Sequence, residues 1–246
     1  MENQNKYLLL ARRAREDKNT EDAKKYYDMV RTEDPENVEA KFYYSYYKLL
    51  DSTNGQAAGN FVTFCNGMNS TMSMLIDSDM TVSEKNKFFV DIGDCLEYAY
   101  KLAKNANATI NGGQGGTILK AYESAVDTVY SRMSKAFSDE TQIVKNALIL
   151  KSNFYTIAGQ SMMRREEVKQ RFAFGDVIET TFPNDNGMTN EAVKHWKYCI
   201  QQGQDWPGVV EDQKLIEKYA EKIKKYEPTY QVPPKKQSRA CIKVGK

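Results

Sequence analysis

Apolar residues recur at helical spacing along most of the chain, and nowhere do they alternate with polar ones as a half-buried strand requires. Tyr7, Leu10, Ala11 and Ala14 fall at i, i+3, i+4 and i+7, which predicts a helix with one small, apolar face. Lys18 and Asn19 break that pattern. Thr20, followed by Glu21 and Asp22, reads as the capped and acidic start of a second helix, with Ala23, Tyr26, Tyr27 and Val30 on its inner face. Asp34-Pro35 ends it, because the residue before a proline is pushed out of the α region. A third helix follows over 38–50 and a turn over 51–55.

The same periodicity predicts a helix over about 56–76, with Phe61, Phe64, Cys65, Met68, Met72 and Leu75 inside. A long helix opens at Ser83-Glu84 and carries Phe88, Phe89, Ile92, Cys95, Leu96, Ala99 and Leu102. Gly112-Gly113-Gln114-Gly115-Gly116 interrupts the chain. Beyond it, helices are expected over 118–137 (Val126, Val129, Tyr130, Met133), 139–163 (Ile143, Ala147, Leu150, Phe154, Ile157) and 164–181 (Val168, Phe172, Val177). A short helix capped by Thr189 is expected to reach Gln202, and a last one to run over 210–226. The fold class is therefore all-α: an antiparallel helix array with longer, irregular helices after the first three. The regions are 5–111, 117–228 and a basic, flexible tail over 229–246.

Two antiparallel helices, a proline and a third helix of the same kind resemble a tetratricopeptide repeat. The residues that carry the likeness are Tyr7, Leu10, Ala11, Ala23, Tyr27, Val30 and Pro35. Tyr44, Ser45, Ala57 and Phe61 recur one period later, where Asn69 stands in place of the closing proline. Ala14 and Val30 depart from the aromatic and the alanine that the family prefers. The likeness covers about residues 5–68, and returns near 190–230 with Trp196 and the ending Tyr226-Glu227-Pro228-x-Tyr230. An antiparallel helix pair outside any repeat shows the same spacing, and both readings predict helices only. What the resemblance implies is a concave face for a partner segment, lined by Leu8, Arg12, Arg15, Glu39, Phe42, Tyr46 and Leu49. The Lys/Asn clamp by which some members hold a C-terminal carboxylate is missing, since Leu8 and Arg12 occupy those places.

Composition narrows the field. No stretch approaches the roughly eighteen apolar residues of a membrane span, and the first residues lack the shape of a signal peptide, so a cytoplasmic protein is expected. Cys65, Cys95, Cys199 and Cys241 stand far apart, with no CxxC pair to suggest a disulfide framework or zinc. The net charge of +2 hides an asymmetry: residues 221–246 hold eight Lys and Arg against two Glu, and the remainder is mildly acidic.

Candidate chemistry is sparse. His195 is the only histidine, which rules out a multi-histidine metal site. Glu191, His195 and Cys199 share one helical stripe, a Cys–His–carboxylate set on paper. The stripe borders Ala192, Trp196 and Ile200, however, and three residues in a line seldom converge on one reacting atom, so a buried structural histidine is the expected reading. The glycine-rich stretch lacks the Lys-Ser/Thr of a phosphate loop and follows a helix, which leaves an interhelical loop. Phe42, Tyr43, Tyr44, Tyr46 and Tyr47 put five aromatics in six positions, to be shared between core and surface. The expectation is a non-enzymatic interaction or scaffold module with no cofactor, whose partner is a protein segment or a second copy of the chain. The alternative is binding of nucleic acid or an anionic surface by the basic tail together with Lys222, Lys224 and Lys225.

Overall fold

A computed structural model describes residues 2–158, 165–206, 209–210 and 212–235, with side chains from residue 6 onward and not at 158. Among them eleven helices form and no strand, so the chain is all-α. The expected residues 159–164, the Pro207-Gly208 turn and the tail over 236–246, with Cys241, lie outside the described residues.

The first helices are α1 (Glu2–Glu16), α2 (Thr20–Glu33) and α3 (Val38–Leu50). α1 closes on Lys18, which takes a left-handed φ of 56°, while the Asn19 amide donates back to the Ala14 carbonyl at 2.8 Å. The cap of α2 is Asn19, one residue earlier than expected: its side-chain oxygen accepts from the Asp22 amide. Asp34, held extended before Pro35, ends the helix and donates its amide to the Val30 carbonyl. Asn37 caps α3 in the same way as Asn19 caps α2.

The single helix expected over 56–76 is two, α4 (Asn54–Asn66) and α5 (Met68–Asp77), parted at Gly67. Its inner residues, Phe61, Phe64, Cys65, Met68, Met72 and Leu75, are all buried nonetheless. α6 (Val82–Thr109) starts at Thr81 rather than Ser83, because Thr81 and Glu84 form a reciprocal capping box. α7 (Gly115–Ala136) and α8 (Thr141–Ala158) follow, then α9 (Arg165–Thr181), α10 (Asn186–Asp205) and α11 (Gln213–Lys224). α10 begins at Asp185, which accepts from the Gly187 and Met188 amides, whereas Thr189 is buried inside the helix. Val177, expected as an inner anchor of α9, is exposed.

The chain packs as two compact units, Met1–Phe154 and Tyr155–Lys246. The glycine-rich loop between α6 and α7 lies within the first, with the Gly112 amide bonded to the Asn107 carbonyl. In that unit α1, α2 and α3 pack in succession. The succession then gives way, for α4 packs mainly on α6 and α7, and α5 on α7. Rings join these layers: Tyr27 stacks on Tyr43 at 5.1 Å, Phe42 meets Phe88 edge-on at 5.6 Å, and Tyr100 stacks on Tyr122 at 4.5 Å. Each such pair adds about 1 kcal/mol beyond the burial of its area.

In the second unit α10 lies between α9 and α11. Trp196, fully buried, lies against Gly175, where a Cβ would come within 2.8 Å of the indole Cδ1. This is a close approach that only glycine permits. Phe172 and Tyr219 stack at 4.2 Å and join α9 to α11.

Candidate protein-binding cleft

The residues expected to form a concave partner face are largely turned to one another. Arg12 donates from Nε and Nη2 to both carboxylate oxygens of Glu39, at 3.0 and 2.5 Å, and the buried Tyr27 hydroxyl donates to the same carboxylate at 3.0 Å. The hydrogen bond to Glu39 lifts the Arg12 pKa above its usual value. Arg15 lies 4.4 Å from the Tyr43 ring centre and 3.5 Å from Asp91 of α6, which also accepts from the Tyr43 hydroxyl. Phe42 and Leu49 are buried, with Phe88 of α6 packed on Phe42. Tyr46 is half-buried and stacks on Phe42. Leu8 is half-buried. Six of these seven side chains therefore join α1 and α3 to α2 and α6 or sit in the core, because α6 supplies Phe88 and Asp91 to that face of α3.

The other face of α3 is open. Between α2, α3, α4 and α5 lies a cleft of about 590 Å³. Its α3 wall is Lys41, Tyr44, Ser45 and Lys48, spaced i, i+3, i+4 and i+7, so the four share one stripe. Arg31 of α2 stands at the rim, its guanidinium 4.2 Å from the Tyr44 ring centre and Nη2 bonded to Asp28 at 2.6 Å. Lys41 lies 3.4 Å from the Ser70 hydroxyl across the cleft, and 3.2 Å from the Met74 sulfur. Lys48 is exposed and makes no hydrogen bond or ion pair among the described residues. The floor is apolar and closed: Phe42, Leu49, Phe64 and Met68 present their edges and are otherwise buried. The lining thus combines three cations with no carboxylate. Of these, only Phe42 and Leu49 belong to the expected set. The stripe of Lys41, Tyr44, Ser45 and Lys48 was the available signal, as the polar complement of Phe42, Tyr43 and Tyr47 on the same helix.

On the stripe of Glu191, His195 and Cys199, the last two side chains are buried. His195 is fully buried, and its Nδ1 accepts from Arg171 Nε at 3.0 Å. Burial first, then the neighbouring charges of Arg171 and Lys194, push its pKa down to about 3, so the ring is neutral and oriented. Cys199 is buried too. Its thiol is pushed up to about 12 by burial, and it donates weakly to the Val168 carbonyl at 3.6 Å. Arg171, itself buried, lies 3.8 Å from the Tyr198 ring centre and donates to the Tyr155 carbonyl at 3.1 Å. A thiol held protonated by burial is not an activated sulfur. Among the described residues no group of three His, Cys, Asp or Glu side chains is placed to hold a metal ion.

The lysines assigned to anionic ligands at the C-terminus are mostly engaged. Lys222 reaches Asp176 at 2.9 Å and Glu179 at 2.6 Å, and Lys224 pairs with Glu221 at 2.7 Å. Burial alone would raise the Glu179 carboxyl, but hydrogen bonds from Lys222 and Tyr226 hold it below the usual range. Among the described residues no helix is long and apolar enough to cross a membrane. Comparison with protein-family models, with curated proteins and with solved structures finds no match to this chain.

Proposed function

We propose that this chain is a non-enzymatic interaction module, and that a protein segment docks in the cleft between α2, α3, α4 and α5. The observation that carries the reading is the cleft itself. It is open, and on its wall Lys48 has no hydrogen bond or ion pair among the described residues and Lys41 only a long contact to Ser70, whereas Arg12, Glu39 and Tyr43 on the opposite side of α1 and α3 are held by partners. The repeat-like spacing of Ala23, Tyr27 and Pro35 supports it, because helix pairs of that kind present grooves to partner segments. The burial of both Cys199 and His195 is in keeping with that reading.

The reading is tested by filling the cleft. Ser45 is exposed on its wall, so Ser45→Trp obstructs the cleft without entering the core. Affinity capture with the full chain retains a protein that the Ser45→Trp chain does not. Equal capture by both chains, or no capture by a chain that light scattering shows to be strictly monomeric, contradicts the reading.

A further inference from the structure

Resting on that reading, we infer that the segment held in the cleft is acidic: a peptide whose carboxylates meet Lys41, Lys48 and Arg31 and whose backbone amides meet the hydroxyls between them.

The first support is charge. Lys41 and Lys48 are seven residues apart on one face of α3, a rise of about 10 Å along the helix. Arg31 extends the positive rim onto α2, and Asp28, which holds Arg31 through Nε at 3.2 Å and Nη2 at 2.6 Å, is the carboxylate that partly offsets it. The lining itself holds three cations and no carboxylate, a composition complementary to an anion, although Glu33, Asp34 and Glu36 adjoin its α2 end in the sequence.

The second support is the direction of the hydroxyl protons. Ser45 donates to the Lys41 carbonyl at 2.9 Å and Thr63 to the Gly59 carbonyl at 3.0 Å, and both residues are exposed. Each proton is turned back to its own helix, so these oxygens offer lone pairs to a visitor. A surface of ammonium donors interspersed with hydroxyl acceptors suits a ligand that carries anions and N–H donors together, which an acidic peptide does. A nucleic-acid backbone brings phosphates but few donors. The one aromatic ring on the α3 stripe, Tyr44, is covered on one face by Arg31, which limits base stacking there.

The experiment is fluorescence anisotropy on the full chain at physiological salt. The probes are a labelled peptide of glutamate and leucine, a labelled peptide of the same length with glutamine for glutamate, and a labelled single-stranded RNA. The chain is compared with Lys41→Glu/Lys48→Glu and with Lys87→Glu, an exposed position on α6, each first shown by circular dichroism to be as helical as the native chain. The glutamate peptide binds, the glutamine peptide binds at least about tenfold more weakly, and Lys41→Glu/Lys48→Glu weakens binding by at least about tenfold where Lys87→Glu leaves it unchanged. No binding of the glutamate peptide, or equal binding by all three chains, overturns the inference. RNA that binds more tightly than the peptide and is lost with the same two lysines also overturns it and assigns the cleft to nucleic acid. If the Ser45→Trp chain loses a captured protein while the glutamate peptide fails to bind, the interaction reading stands and the acidic occupant falls. If capture fails as well, both fall.

Discussion

His195 makes the stability of the second unit depend on acid in a way that one substitution isolates. Its ordinary pKa of 6.5 drops to about 3 in the fold, because the ring is fully buried and faces the Arg171 guanidinium on α9 and the Lys194 charge on its own helix. Tyr155 and Phe174 enclose the ring edge-on and bring no negative charge to favour an imidazolium. The unfolded chain takes up a proton below pH 6.5, whereas the folded chain does not until about pH 3. Stability from this group is therefore complete above pH 6.5 and is lost as pH falls between those values. Each unit of pH in that window costs about 1.4 kcal/mol, so at pH 5 the loss is ~2 kcal/mol. His195→Gln removes the titration and keeps an oxygen that can accept from Arg171 Nε. Both tryptophans, Trp196 and Trp206, belong to the second unit, so their fluorescence in urea reports that unit alone. Between pH 7 and pH 5 the native chain is expected to lose ~2 kcal/mol more than the variant. Parallel losses in the two chains would show that His195 is not held neutral, and would refute the reasoning.

Most of the helical layout was legible, and the reasons it was not complete are local. The apolar positions from Phe61 to Leu75 continue across Gly67 without a change of face, so their periodicity hides the break between α4 and α5. Thr189 carries a strong cap signal but lies one turn inside α10, since Asp185 satisfies two amides at once. The site is another matter. The five aromatics over 42–47 showed that α3 is packed on more than one side, but which side stays open depends on α6, whose Phe88 and Asp91 lie more than forty residues further along the chain. The pairing of Arg12 with Glu39 across 27 residues is equally invisible to spacing. Expected on the partner face by position, these two residues are paired with each other.

Other consequences of the packing can be measured directly. Gly175→Ala forces a methyl against the Trp196 indole. Overpacking of 1–3 kcal/mol outweighs the roughly 1 kcal/mol of helix propensity gained, and urea melts should show a net loss of up to about 2 kcal/mol with altered tryptophan emission. Glu39→Ala leaves the Tyr27 hydroxyl buried without its acceptor and should cost about 1–3 kcal/mol in the first unit, read by amide exchange of α2, whereas Glu39→Gln keeps an acceptor and costs less. Cys65, Cys95 and Cys199, each pushed up to about 12 by burial, should resist iodoacetamide in the folded chain at pH 8 and react only in denaturant, as peptide mapping would show.

The account turns on which face of α3 meets a partner, and paired photocrosslinkers decide it. A benzophenone side chain is placed at Ser45, in the cleft, and in a second chain at Leu8, on the face first expected to bind. In cells, covalent adducts to a peptide segment are predicted from position 45 and not from position 8, with acidic residues flanking the attachment point. Adducts from position 8 alone, or none to protein from either, would contradict the cleft as the site of interaction.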